Sequence, residues 1–420
     1  MAKALISLVI LSSLLCKFTV GTGRTTDLSA AINATAPAAA PFALSLGDDE
    51  DGGICDLLVT NQGYICEEHT VTTSDGYILS LQRIPVGISG GITPGKRTPV
   101  LLQHGVLMDG MTWLLLPPSQ ALAFVLADNG YDVWIANSRG TKYSRGHVSL
   151  TTDDKDYWNW SWDELVNYDL PATVDYVHNQ TGEKLHYIGH SQGTLIALAS
   201  LSKGLLMDKL RSATLLCPIA YLGQMNSFLA RVGVDLFIAK VNFFSSSAIF
   251  NGNRIDVANL LHNICNVPGV DCGDLMTAIT GQNCCLQSST VDLFLKYEPQ
   301  PTSTKNMIHF AQMARRGTLA MYDYDDEYEN MNHYGQPSPP EYSMTTIPDD
   351  FPLFFSYGGT DTLSDKSDVR ILLDVLKGRD DSNGKFMTQY VNNYAHADYV
   401  MADAAKEEVY DLVLTFLKLH

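Results

Sequence analysis

The stretch Gly189-His190-Ser191-Gln192-Gly193 constrains this chain more than any other. It is a G-x-S-x-G pentapeptide flanked by a short apolar and aromatic run, Leu185-His186-Tyr187-Ile188, and by a helix-forming run from Thr194 to Ala199. A serine in so tight a strand-to-helix turn takes strained backbone angles. Glycines two residues to either side remove the Cβ atoms that would collide with the adjoining strand and helix. The helix N-terminus then faces negative charge developing beside the serine. Such a turn requires a strand feeding straight into a helix, which commits this part of the chain to an α/β layer and makes Ser191 the leading candidate nucleophile. Gly87-Ile88-Ser89-Gly90-Gly91 matches the same pattern, but it lies among Pro85, Pro94 and Gly95 with no helical run behind it, so Ser89 reads as part of a surface turn.

Around the pentapeptide, strand-like and helix-like runs alternate. Tyr77 to Ile84 and Val100 to His104 read as strands, Ser119 to Asn129 as a helix, Val133 to Ala136 as a strand, and Trp162 to Gln180 as a helix. Ala213 to Pro218 follows the elbow as a further strand. This is the βαβ rhythm of a mainly parallel sheet flanked by helices. After Ala220 the rhythm breaks into helices and loops, and it resumes at Phe351 to Tyr357 and Phe386 to Val391 before a closing helix over Val400 to Leu417. The expected organisation is a signal peptide over residues 1–22, a flexible leader over 23–51, a core in two parts over 52–220 and 349–420, and an inserted helical cap or lid over 221–348. In that insertion Phe228, Val232, Leu236, Phe237 and Val241 recur at helical spacing. The plain reading is a face buried against the core, and the sharper one is a lid that contacts lipid.

The 420 residues are 45% hydrophobic and 18% charged, enough to build a large core. A net charge of -18 argues against nucleic acid or an anionic membrane as an electrostatic partner. Met1-Ala2-Lys3 followed by the apolar run Ala4 to Cys16 reads as a secretory signal, shorter than a spanning helix needs. No later apolar stretch reaches that length, so the mature chain is expected to lack a transmembrane segment. The sequons at Asn33, Asn159 and Asn179 agree with passage through the secretory pathway, to the exterior or to a vacuolar or lysosomal compartment.

Losing Cys16 from the eight cysteines leaves an odd number, which implies a free thiol in an oxidising compartment. Cys217, within the apolar run Ala213 to Ala220, is the choice for it. Cys55 and Cys66 are close enough to pair across a turn. Cys265, Cys272, Cys284 and Cys285 form a second group of disulfide candidates whose connectivity the spacing leaves open. That group, with His262 nearby, does not match paired zinc-ligand spacing, so no metal is expected.

A serine hydroxyl needs an imidazole to take its proton and a carboxylate to orient that imidazole. With a nucleophile elbow the chain order is serine, acid, histidine, the partners lying on loops after later strands. Asp361 ends the glycine turn Gly358-Gly359-Thr360-Asp361 behind a strand, whereas Asp365 reads as a helix cap. His396 follows the last strand and precedes the final helix. His104 and His190 precede the serine, and His104 reads as a brace for its loop. Two main-chain N–H groups are needed for an oxyanion. Gln192, after the serine, and Val106, on the loop after the strand at Val100, are the candidates.

The chain resembles the acid lipase family, the animal gastric and lysosomal lipases with their plant relatives. The resemblance rests on Glu67-Glu68-His69 with Asp75-Gly76-Tyr77, Gln103-His104-Gly105, Asn137-Ser138-Arg139-Gly140, Ser161-Trp162-Asp163-Glu164, Tyr168-Asp169-Leu170-Pro171-Ala172, the elbow and Gly358-Gly359-Thr360-Asp361. It covers nearly the whole mature chain. It implies an α/β-hydrolase fold with a helical cap, ester hydrolysis of neutral lipids at a lipid-water interface without a cofactor, Ser191, Asp361 and His396 as the triad, and Val106 and Gln192 as oxyanion donors. Animal members have Asn before the histidine and Leu after His-Gly, where this chain has Ala395 and Val106. Ala395-His396-Ala397-Asp398 and the adjacent Cys284 and Cys285 are closer to the plant branch. The expected activity is that of a triacylglycerol or sterol ester lipase. The alternatives are an esterase for short or soluble esters and, from another class, a non-catalytic hydrolase fold that binds a hydrophobic ligand.

Overall fold

The sheet at the centre of the protein is built from strands whose two faces are both apolar. Val100, Leu102, Val133 and Ile135 enter one core cluster, and their neighbours Leu101 and Trp134 enter the other. Residues alternate sides along a strand, so such runs must be covered on both faces, which is the condition for a parallel sheet between helices. The computed structural model describes residues 52–88, 96–225, 254–255 and 272–420. The leader, Ser89, Asn33, Cys265 and the Phe228 to Val241 stripe lie outside the described residues.

In chain order the strands are β1 (Glu67–Thr72), β2 (Tyr77–Ile84), β3 (Pro99–Gln103), β4 (Asp132–Ala136), β5 (Gly146–His147), β6 (Leu185–His190), β7 (Leu210–Leu216), β8 (Arg254–Ile255), β9 (Thr302–Ser303), β10 (Leu353–Gly358) and β11 (Phe386–Val391). The main sheet runs β1-β2-β4-β3-β6-β7-β10-β11, with β5 paired to β2. Every neighbour pair from β4 to β11 is parallel, while β1, β2 and β5 are attached antiparallel. β8 and β9 form a separate two-stranded pair. β1 carries the sequence EEHTVT with exposed and half-buried positions alternating. It is a polar edge strand, and its composition hid it from hydrophobic patterning.

The helices are α1 (Leu122–Asp128), α2 (Leu170–Thr181), α3 (Gln192–Ser202), α4 (Cys272–Thr280), α5 (Ser288–Tyr297), α6 (Thr304–Arg316), α7 (Glu327–Tyr334), α8 (Lys366–Val375), α9 (Asp398–Met401) and α10 (Asp411–Leu419). A turn over Trp162–Glu164 and a wider π-type turn over Leu165–Asp169 lead directly into α2. Ser161 and Glu164 start this run with a reciprocal capping box, satisfying two of its orphan N–H groups. The expected helix over Val400 to Leu417 is instead interrupted. Ala402 is extended and bridges to Leu286, and the N–H of Asp403 donates to the Cys285 carbonyl. The cysteine segment crosses the chain here and takes the hydrogen bonds a continuous helix would have used.

Cys55 and Cys66 are disulfide-bonded, as are the adjacent Cys284 and Cys285, and Cys217 is free and buried. Arg139 is wholly buried between Asp75 and Asp169, with its guanidinium 3.8 Å from the Tyr77 ring centroid. Its pairing joins the loop after β4 to the turn before β2 and to the start of α2. Asn159 and Asn179 are exposed. Among the described residues, no helix is long and apolar enough to cross a membrane.

Candidate active site

Ser191 stands between β6 and α3 with φ +54°, a left-handed conformation rarely adopted by a residue with a Cβ. The turn is held by tertiary bonds. The N–H of Ser191 donates to the Leu216 carbonyl, and Thr194 Oγ1 donates to the Ser191 carbonyl at 2.6 Å. The two flanking glycines are sterically required. A Cβ on Gly189 would lie 2.7 Å from the backbone of Gly193, and one on Gly193 would run into the Gln103 carbonyl. The elbow therefore packs directly against the end of β3.

From that end the chain continues as the loop His104 to Asp109. A Cβ on Gly105 would come 3.0 Å from the Cβ of Ser191, which places this loop alongside the serine. His104 is buried and burial pushes it down to about 4, so its imidazole is neutral. Nδ1 donates to the Gly105 carbonyl at 2.7 Å, and Nε2 accepts from the N–H of Ser138 at 3.0 Å. Val106 follows. Gln192 opens α3, where a first-turn N–H has no intrahelical acceptor. Its side chain accepts from Asn306 Nδ2 at 3.1 Å, tying α6 to the elbow.

Asp361 and His396 come together although far apart in sequence. His396 Nδ1 lies 2.9 Å from Asp361 Oδ2, and both side chains are buried. Asp361 Oδ1 accepts from the N–H groups of Leu363 and Ser364, so the carboxylate is fixed from two sides. Asp365 caps α8 by accepting from the N–H of Ser367.

Four further groups hold the His396 loop. The Thr280 carbonyl, at the end of α4, accepts from the N–H of His396 at 3.2 Å and from that of Thr362 at 3.4 Å. His190 Nε2 donates to the His396 carbonyl at 3.0 Å, and burial pushes His190 down to about 3, which keeps it neutral. The Cys217 sulfur lies 3.7 Å from the same carbonyl. Asp398 accepts from the N–H of Ala395 at 2.7 Å and from that of Cys284 at 3.2 Å. Apart from the bond between Asp398 and Ala395, three residues apart, none of these contacts follows from local pattern. The one sequence cue was Asp398, two residues beyond the histidine.

His190, Cys217 and His396 also bring ligand-type atoms within 4.8 Å of one another. Burial, reinforced by the Asp361 charge, pushes the Cys217 thiol well above its ordinary range and holds it as the neutral thiol, whereas metal binding uses the thiolate. One nitrogen of each ring is already committed to a hydrogen bond.

Two family models match the chain, a partial alpha/beta-hydrolase lipase region over residues 56–116 and the alpha/beta hydrolase fold over residues 98–241. Fold, elbow and relatives define an enzyme of the α/β-hydrolase class, a carboxylic ester hydrolase. Triacylglycerol lipase 2 of Arabidopsis thaliana is 50% identical over 87% of this chain and 88% of its own length, and human gastric triacylglycerol lipase is 34% identical over 86% and 89%. The chain belongs to the acid lipase family. A soluble variant of the monoglyceride lipase of Saccharomyces cerevisiae, solved with a substrate analogue, shares the fold at a TM-score of 0.52 and 17% identity, covering 84% of this chain and 95% of that one.

Proposed function

We propose that this protein hydrolyses neutral lipid esters, triacylglycerols or sterol esters, through a Ser191-His396-Asp361 triad and an acyl-enzyme. The observation that carries this reading is the 2.9 Å contact of His396 Nδ1 with Asp361 Oδ2 on loops packed against the elbow of Ser191. Ser191 Oγ attacks the ester carbonyl while His396 takes its proton. Asp361 holds the imidazole in the required tautomer and stabilises the imidazolium. The tetrahedral oxyanion is received by the N–H groups of Val106 and Gln192. His396 protonates the leaving alcohol, and water then releases the acid. Residues 221–348 are read as the cap, and its described part reaches the site through Thr280 and Asn306. The signal peptide over residues 1–22 directs the chain into the secretory pathway, where Asn159 and Asn179 are accessible for glycosylation, and the names of the relatives support lipid esters as substrates.

The test is hydrolysis of emulsified long-chain triacylglycerol and of a soluble short-chain ester by the purified protein between pH 4 and 8, with Ser191→Ala as control. Long-chain turnover abolished in the variant is the expected result. Turnover of the short ester alone would replace the lipase reading with that of an esterase, and undiminished turnover in Ser191→Ala would overturn the nucleophile assignment.

A further inference from the structure

Behind the loop that carries Val106 lies a pair of buried carboxyl groups that the mechanism does not use. Asp109 is fully buried and Glu298, just beyond α5, nearly so. Glu298 Oε1 accepts from the N–H of Asp109 at 2.8 Å. Two residues on, the N–H of Gln300 donates to the Leu107 carbonyl at 2.8 Å, and Gln300 Oε1 accepts from the N–H of Lys142. The segment from Glu298 to Gln300 thus grips the loop on both sides of Met108. Leu107 needs such a grip, since its φ is +61°.

Asp109 Oδ1 accepts from the N–H of Met111, but Asp109 Oδ2 and Glu298 Oε2 are buried without a donor if both groups are ionised. A proton between them supplies the missing hydrogen bond and removes one buried charge. We propose that Glu298 is a positioning residue for the oxyanion loop, holding it through a proton shared with Asp109. The proposal rests on the reading that Val106 donates to the oxyanion.

Burial raises both groups, Asp109 to about 6 and Glu298 well above its ordinary range, the latter also repelled by Asp109. Among the surrounding groups, the Met111 N–H bond lowers Asp109 and Lys142 acts in the same sense, while the nearby Gln300 amide lowers Glu298. His104, at the base of the loop, is neutral. The two acids titrate as a pair. The pair holds at least one proton in acid and loses the last as pH rises, when two buried charges drive Glu298 from the loop.

The experiment is kcat and KM on a soluble short-chain ester from pH 4 to 9 for the wild type, Glu298→Gln, Glu298→Leu and Val106→Pro, with melting temperatures for each. The glutamine amide still accepts from Asp109 N–H, donates to the Asp109 carboxylate and cannot ionise. Glu298→Gln should keep kcat at pH 5 within about threefold of wild type and move the alkaline limb up by about one pH unit. Glu298→Leu should lower kcat by about 30-fold with KM nearly unchanged. An alkaline limb that coincides for Glu298→Gln and wild type overturns the proposal, even if Glu298→Leu fails to fold. Loss of activity in Val106→Pro alongside that coincidence leaves the oxyanion reading standing, whereas wild-type kcat in Val106→Pro overturns that reading itself.

Discussion

The carbonyl of Thr280 accepts a hydrogen bond from the backbone N–H of His396 at 3.2 Å. The bond joins the end of a helix in the segment between β7 and β10 to the loop beyond β11, and the same carbonyl also receives the N–H of Thr362 beside Asp361. One acceptor therefore sets the relative position of the acid and histidine loops.

Asp398 extends that arrangement by accepting from both Ala395 and Cys284. Asp398→Ala should release the histidine loop and lower kcat by about 10²-fold, as expected for a misplacement near 1 Å, with KM changing little. Steady-state kinetics on a soluble ester check this, and unchanged kcat would refute the positioning role.

Gly281 has φ +104°, and an added Cβ would collide with the Thr360 carbonyl. Gly281→Ala should displace the turn carrying Asp361 and cost about 10²-fold or more in kcat. Gly335, with nothing within 4 Å of such a Cβ, is the comparator, and Gly335→Ala should leave the rate alone. Equal behaviour of the two variants would refute the account.

Asp163 accepts from the Tyr342 hydroxyl and from the N–H of Tyr322, yet burial raises it to about 6. The folded protein then binds more protons than the unfolded chain between about 4 and 6, so this stabilisation is full in acid and is lost as pH rises through 6. Between pH 4 and 7.5 the wild type should lose on the order of 2–3 kcal/mol more than Asp163→Asn. Urea unfolding at the two pH values measures the difference, and parallel losses would contradict it.

Arg139 is buried against two aspartates. Arg139→Ala should destabilise the fold by about 3–5 kcal/mol because it strands a buried carboxylate. Arg139→Lys should recover only part of this, since a lysine cannot reach both aspartates with a planar fork. Denaturant midpoints decide it, and full recovery by lysine would refute the geometric argument.

Cys217 is fully buried, with its thiol pushed well up. A thiol reagent should label it only after denaturation, so native protein and Cys217→Ser should react alike while unfolded samples differ by one equivalent. Rapid labelling of Cys217 in the native protein would contradict its placement.

The elbow and the strands were legible because their signals are local. Glycine spacing, the β-to-α change of period and the strand-loop-helix setting of His396 all lie within a few residues. β11 was read at its observed bounds, while β1 was missed because an edge strand need not be apolar. What supports the site was not legible. Thr280, Glu298 and Asn306 act through backbone or amide contacts with partners more than a hundred residues away, and residues of those types carry no pattern that announces such a contact. The break at Ala402 escaped for the same reason, since helix propensity through Val400 to Leu417 is high and the crossing cysteine segment overrides it.

β10 and β11 close the sheet from the far end of the chain, and the loops that follow them carry Asp361 and His396. A ribosome releases Ser191 long before it makes either. On the proposed reading, a half-synthesised molecule has a shaped serine but nothing to accept its proton. On that reading the order in which the sequence is translated keeps the hydrolase inert during its own synthesis, and any fragment that stops short of β11 stays so.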